Sequence, residues 1–141
     1  MAEATIDLTI VTPERAVVHE EVEELQIPGA EGYLGVLPGH APLFSDLKVG
    51  EVGYRKGDRW FFLAVAWGFV EVLPNQVRIL AETAERAHEI DVERANRAKQ
   101  RAEDRISRGG EDIDYQRALV ALERALVRIQ VSRKAHQPSY S

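Results

Sequence analysis

The 141-residue chain has no cysteine and a single methionine. The missing thiols exclude a disulfide scaffold and any thiolate metal site, and they fit a reducing compartment. Long apolar runs are also missing. The longest, FFLAVAWGFV at residues 61–70, is about half of what a bilayer span requires, so no direct membrane insertion is expected. MAEATIDLTI at the start has neither a basic region nor an apolar core, and no secretion signal or transit peptide is expected there. Four histidines, at 19, 40, 88 and 136, are too scattered for metal-ligand spacing. No nucleophile motif, glycine-rich phosphate loop or paired-carboxylate constellation appears, so neither catalysis nor a metal site is expected.

Cations are scarce in one half only. Residues 1–87 hold 7 Lys+Arg against 14 Asp+Glu, whereas residues 88–141 hold 11 against 9. The first part therefore does not suit a phosphate backbone, and no nucleic-acid partner is expected. Any surface that seeks anions lies in the second part.

The two parts also differ in period. In TIDLTIVT, Ile6, Leu8 and Ile10 alternate with polar residues, and Leu25 and Ile27 do so in VEELQIPG, as half-buried strands require. Two hairpins are predicted, one turning at KGD (residues 56–58) and one at Pro74-Asn75. Short strands punctuated by glycine and proline point to an antiparallel sandwich or barrel over residues 1–87.

From residue 88 the apolar period becomes 3.6. Asp91 is a good N-cap with Glu93 behind it, and Ala95, Ala98, Ala102 and Ile106 form a narrow apolar face. Gly109-Gly110 end that helix, and Asp112 or Asp114 caps the next. In the second helix Tyr115, Leu119, Leu122, Leu126 and Ile129 form an apolar stripe. The unit is an αα-hairpin ending in a frayed tail. Helices this short are marginal alone. They must pack on the β-domain, on each other or on another protein, either as a fixed appendage or as a switch.

Arg94, Arg97, Arg101, Arg105 and Arg108 fall within an arc of roughly 80° on the first of these helices. Like charges at this spacing repel. The row is either a solvated face neutralised by Glu93, Glu103, Asp104 and Glu123, or a surface for an anion or an acidic partner.

EGYLGVLPGHAPL at residues 31–43, with GFVEVLPNQVRILAETAERAHEID at 68–91, resembles the epsilon subunit of bacterial F-type ATP synthases, over all but the tail. The resemblance implies a ten-stranded antiparallel β-sandwich followed by a C-terminal antiparallel two-helix hairpin, in a non-catalytic, regulatory subunit. It implies gamma, the polar loops of the c-ring and the catalytic alpha/beta subunits as partners. The location implied is peripheral, on the cytoplasmic face of the plasma membrane. The hairpin is implied to lie on the sandwich or to extend along gamma and block ATP hydrolysis. In the glycine-rich loop, Tyr33 stands where the family often has an acidic residue. It and His40 are candidate rotor contacts, which here would be aromatic or hydrogen-bonded instead of charged.

Some family members carry an ATP-binding motif that stands here as IDVERA. By resemblance Ile90, Asp91, Arg94 and Ala95, with Arg101, Arg124 and Arg128, would hold ATP as a regulatory ligand, with a magnesium requirement left open. Arginines suit this because they bind phosphate oxygens bidentately. Arg117, Arg124 and Arg128 lie roughly opposite the leucine stripe, however, so a shared site requires the leucines to meet the sandwich or the helices to touch through small residues. The alternative function is a free-standing β-sandwich adaptor whose basic hairpin binds an acidic protein; a jelly-roll enzyme is more remote.

Overall fold

The computed structural model describes residues 4–110 and 113–135. Eight strands come first: β1 (Ile6–Val11), β2 (Ala16–Val22), β3 (Glu24–Gly29), β4 (Gly32–Val36), β5 (Leu43–Leu47), β6 (Gly50–Lys56), β7 (Arg59–Leu73) and β8 (Gln76–Arg86). A 3-10 turn, Ala87–Glu89, leads to helices α1 (Val92–Arg108) and α2 (Tyr115–Lys134).

The expected sandwich is present, with eight strands instead of ten. The reason is that β7 and β8 each serve both layers. The first half of β7 pairs with β6 (Gly50↔Val65) and the second with β5 (Leu47↔Gly68). The first half of β8 pairs in parallel with β1 (Leu8↔Val77), while its second half continues beside β7. The bend between layers sits at Trp67 (φ 57°) and Gly68 (φ 134°). A Cβ on Gly68 would strike the carbonyl oxygen of Leu80, so only glycine lets the two long strands stay paired through the bend. Burial changes parity there, from Leu63 and Val65 to Val70 and Val72, as it must when one strand passes from one core face to another.

Between the layers lies an aliphatic core that includes Ile6, Leu8, Ile10, Leu25, Ile27, Leu63, Val70 and Ile79. Both predicted hairpins form: Lys56 pairs with Arg59 across Gly57-Asp58, and Leu73 with Gln76 across Pro74-Asn75.

Asp91 and Asp114 cap the helices, each carboxylate accepting a hydrogen bond from the backbone N–H three residues on; Asp112 lies outside the described residues. The leucine stripe does not form the buried face of α2. Tyr115, Leu119 and Leu126 are exposed, and the buried positions are Ala118, Ala125, Ile129, Val131 and Ser132. On α1 the buried positions are Ala95 and Ala102. The helices meet through small side chains, which permits close approach of their backbones. A second ridge, Val127, Val131 and Ala135, seats α2 on Phe62, Ala64, Ala87 and Ile90 of the sandwich and its exit turn. Thus α2 lies between α1 and the β-domain.

Candidate functional site

At 100° per residue, Ala118, Ala125 and Ile129 face α1, and Val127 and Val131 face the sandwich about 160° away. Arg117, Arg124 and Arg128 fall between those two directions; Arg124 and Arg128 project into the groove beside the sandwich, whereas Arg117 lies at the turn end of the hairpin, beside Arg105 and Arg108. A cavity of about 230 Å³ opens there between the second half of β8 and α2, with Glu82, Thr83, Glu85, Arg15, Arg124 and Arg128 among its walls. An adjoining cavity of about 230 Å³ between the helices has Ala98, Ala121 and Ala125 with the same Arg124 and Arg128. Ala98 is on the flank of α1 that carries Arg94 and Arg101, but it is the one α1 residue among the walls of these two cavities, and neither arginine lines them.

The seven sequence-derived nucleotide residues have different environments. Arg94, Arg101 and Arg124 are exposed, and among the described residues no carboxylate stands within ion-pairing distance of them. Glu93, Glu103, Asp104 and Glu123 therefore do not neutralise the arginine row by direct pairing; the Asp104 carboxylate accepts a hydrogen bond from Gln100 instead. Arg128 is different. Its Nε and Nη2 donate to the two Glu85 oxygens at 2.7 and 3.2 Å, a bidentate pair only partly exposed. Ile90 is buried in the seat of α2, Ala95 is buried in the helix seam, and the Asp91 carboxylate is engaged as the N-cap. None of these three lines either cavity; of the seven, the groove brings together Arg124 and Arg128.

Glu85, Arg15 and Glu82 are groove residues that motif reasoning missed. Only the long-range pairing of β8 brings them beside α2, and no local spacing signals this. Arg15 also makes a bidentate bond to Glu89 at 2.9 and 3.1 Å, and Glu89 accepts a further bond from the Arg86 backbone N–H. The Arg15 partner holds the Glu89 carboxyl below its ordinary value, against a smaller opposing effect of burial. Arg86 donates to the Tyr54 hydroxyl and to the Val17 carbonyl. The exit turn is thereby tied to the sandwich on both sides.

Tyr33 and His40 lie away from this groove. Tyr33 is 58% exposed, and its hydroxyl accepts the backbone N–H of Glu51 at 3.0 Å. His40 Nδ1 donates to the Ala41 carbonyl at 2.7 Å. A separate apolar surface crosses the outer sheet. Phe44 stacks on Phe69 with centroids 5.6 Å apart, Phe69 pairs with Leu80, and all three are exposed. Among the described residues no cluster of histidine and acidic side chains is arranged to hold a metal ion, and no helix is long and apolar enough to cross a membrane.

A β-sandwich that crosses its own layers and carries a two-helix hairpin defines the structural class. Residues 5–87 match the family described as ATP synthase, Delta/Epsilon chain, beta-sandwich domain, and residues 88–133 its long alpha-helix domain. The ATP synthase epsilon chain of Desulforamulus reducens is 50% identical over 125 residues, covering 89% of this chain and 95% of that one. That of Geobacter metallireducens is 48% identical over 131 residues, covering 92% and 95%. Among solved structures, a chain of the Euglena gracilis mitochondrial ATP synthase (OSCP/F1/c-ring) superposes with a TM-score of 0.78 at 25% identity, covering 93% of this chain and 82% of that chain. The chain belongs to the ATP synthase delta/epsilon chain family, as an epsilon subunit of the ATP synthase central stalk. Its partners are accordingly other subunits of that complex, within the peripheral F1 portion.

Proposed function

We propose that this non-catalytic subunit couples gamma to the c-ring and regulates ATP hydrolysis through a hairpin that leaves the sandwich and returns, with ATP favouring the returned form. The groove carries this reading. Arg124 and Arg128 line it, and Arg94 and Arg101 are exposed on the adjacent helix without carboxylate partners among the described residues. Several guanidiniums around one opening can hold a triphosphate without a P-loop. ATP would make Arg128 exchange the Glu85 carboxylate for a phosphate. Because the site is assembled from both helices and the sandwich, moving the hairpin dismantles it. That is how a ligand acquires different affinities for two postures.

At a free concentration ten times its dissociation constant, ATP adds about 1.4 kcal/mol to the returned state. That is enough to tip a balanced equilibrium and too little to reverse a strongly biased one. In the extended posture the exposed Arg97, Arg105, Arg108 and Arg117 would face acidic surfaces on the catalytic alpha/beta subunits. The Phe44, Phe69 and Leu80 row suits docking on gamma, because exposed apolar patches of this kind mark protein contacts. Tyr33 would meet the c-ring through its ring, its hydroxyl being engaged with Glu51.

Calorimetric titration of ATP into the full chain tests the site. We expect saturable binding that Arg94→Ala and Arg124→Ala each abolish. An isotherm unchanged in both variants removes the groove as the nucleotide site.

A further inference from the structure

We propose that Lys134, the last residue of α2, is the positioning residue that clamps the hairpin onto the sandwich, independently of any nucleotide. This rests on the reading that the hairpin moves. Lys134 Nζ stands 2.7 Å from Glu51 Oε2 on β6 and 4.0 Å from the centroid of the Phe62 ring on β7. Two attractions thus converge on one ammonium group, an ion pair and a cation–π contact. Both partners are mostly covered, with side chains 24% and 17% exposed, so solvent screens the pair less than it would a surface pair. The position also suits a cation, since the final turn of a helix is its negative end.

Glu51 explains why this contact controls posture. Its Oε1 is buried and has no hydrogen-bond partner among the described residues, so Lys134 is the counter-charge of a carboxylate that is covered while the hairpin is seated. Taking Lys134 away leaves an unpaired buried charge, which is costlier than losing a surface pair. The clamp also lies apart from the nucleotide groove. Arg128 and Lys134 stand on opposite sides of the Val127/Val131 ridge, about 120° apart around α2. The ridge is small, and the two ion pairs brace it from both flanks. The groove-side pair, Arg128 with Glu85, competes with a phosphate, whereas the Lys134 pair does not. Lys134 therefore sets the resting equilibrium on which ATP acts.

Because the native sequence has no cysteine, two introduced thiols report posture cleanly. Energy transfer is measured between dyes on Asp58→Cys and Gln130→Cys in the full chain, without nucleotide and then with ATP. We expect Lys134→Met and Glu51→Lys each to raise the ratio of released to seated hairpin about tenfold. The exchanged pair, Lys134→Glu with Glu51→Lys, restores the parent signal, and helicity by circular dichroism stays constant throughout. Val131→Asp, which spoils the apolar seat, is the reference for release. If Val131→Asp changes the transfer and Lys134→Met does not, the clamp is overturned while the moving hairpin stands. If neither changes it, the hairpin does not move and both readings fall. Release by Lys134→Met without rescue in the exchanged pair also overturns the clamp, since the ion pair is then not its cause.

Discussion

Gly68 shows how much one residue can decide. Its φ of 134° and the Leu80 carbonyl facing its missing Cβ leave no room for any side chain. Gly68→Ala is expected to cost about 3 kcal/mol or more in urea unfolding, through strain and lost pairing of β7 with β8. A loss under 1 kcal/mol would show that the bend adapts. Glu89 gives the pH dependence. Its folded pKa is lowered by Arg15, so its contribution is complete above the ordinary glutamate value of 4.5 and is lost as pH falls below it. Glu89→Gln should therefore flatten the acid limb of the stability profile, and an unchanged limb contradicts the assignment. Tyr54 acts at the other extreme. Burial pushes its phenol up to about 12 from 10, so the folded state loses stability between those values as pH rises. At this scale the sequence shows which residues have chemistry to offer and hides whom they meet: Arg128 and Glu85 are 43 positions apart.

Elements formed by local rules were legible, and those set by tertiary packing were not. The Lys56–Arg59 and Leu73–Gln76 turns and the Asp91 cap follow from residues within a few positions of one another. The ten strands that the resemblance implies are eight here because β7 and β8 each run unbroken through the bend. The leucine stripe misled for another reason. Periodicity weights large apolar side chains, whereas the helix contact is set by how closely backbones approach, which favours alanine. Ala125→Leu is accordingly expected to destabilise the hairpin by about 1–3 kcal/mol through overpacking. Leu126→Ser, one residue on and 44% exposed in the parent, should cost less than about 0.5 kcal/mol. Thermal melts followed at 222 nm separate the two, and the reverse order of stability would return the leucine stripe to the interface. For the proposed nucleotide groove, Arg124 and Arg128 are in the sequence-derived set, but the acidic wall is not, because it arrives on β8.

At the scale of the molecule, the proposed function assigns docking to the sandwich and control to the hairpin. Deleting residues 88–141 should leave assembly into the synthase intact and raise ATP hydrolysis by the whole enzyme severalfold; hydrolysis at the parental rate would mean that the hairpin exerts no inhibition. The shared strands bear on this in a mechanical way. A sandwich of two separate sheets can shear along the plane between them, but here the same two backbones run through both layers, from the tip at Pro74-Asn75 to the exit turn at Arg86. Load entering at one end of the domain travels along covalent bonds to the other, and the block resists slipping inside itself.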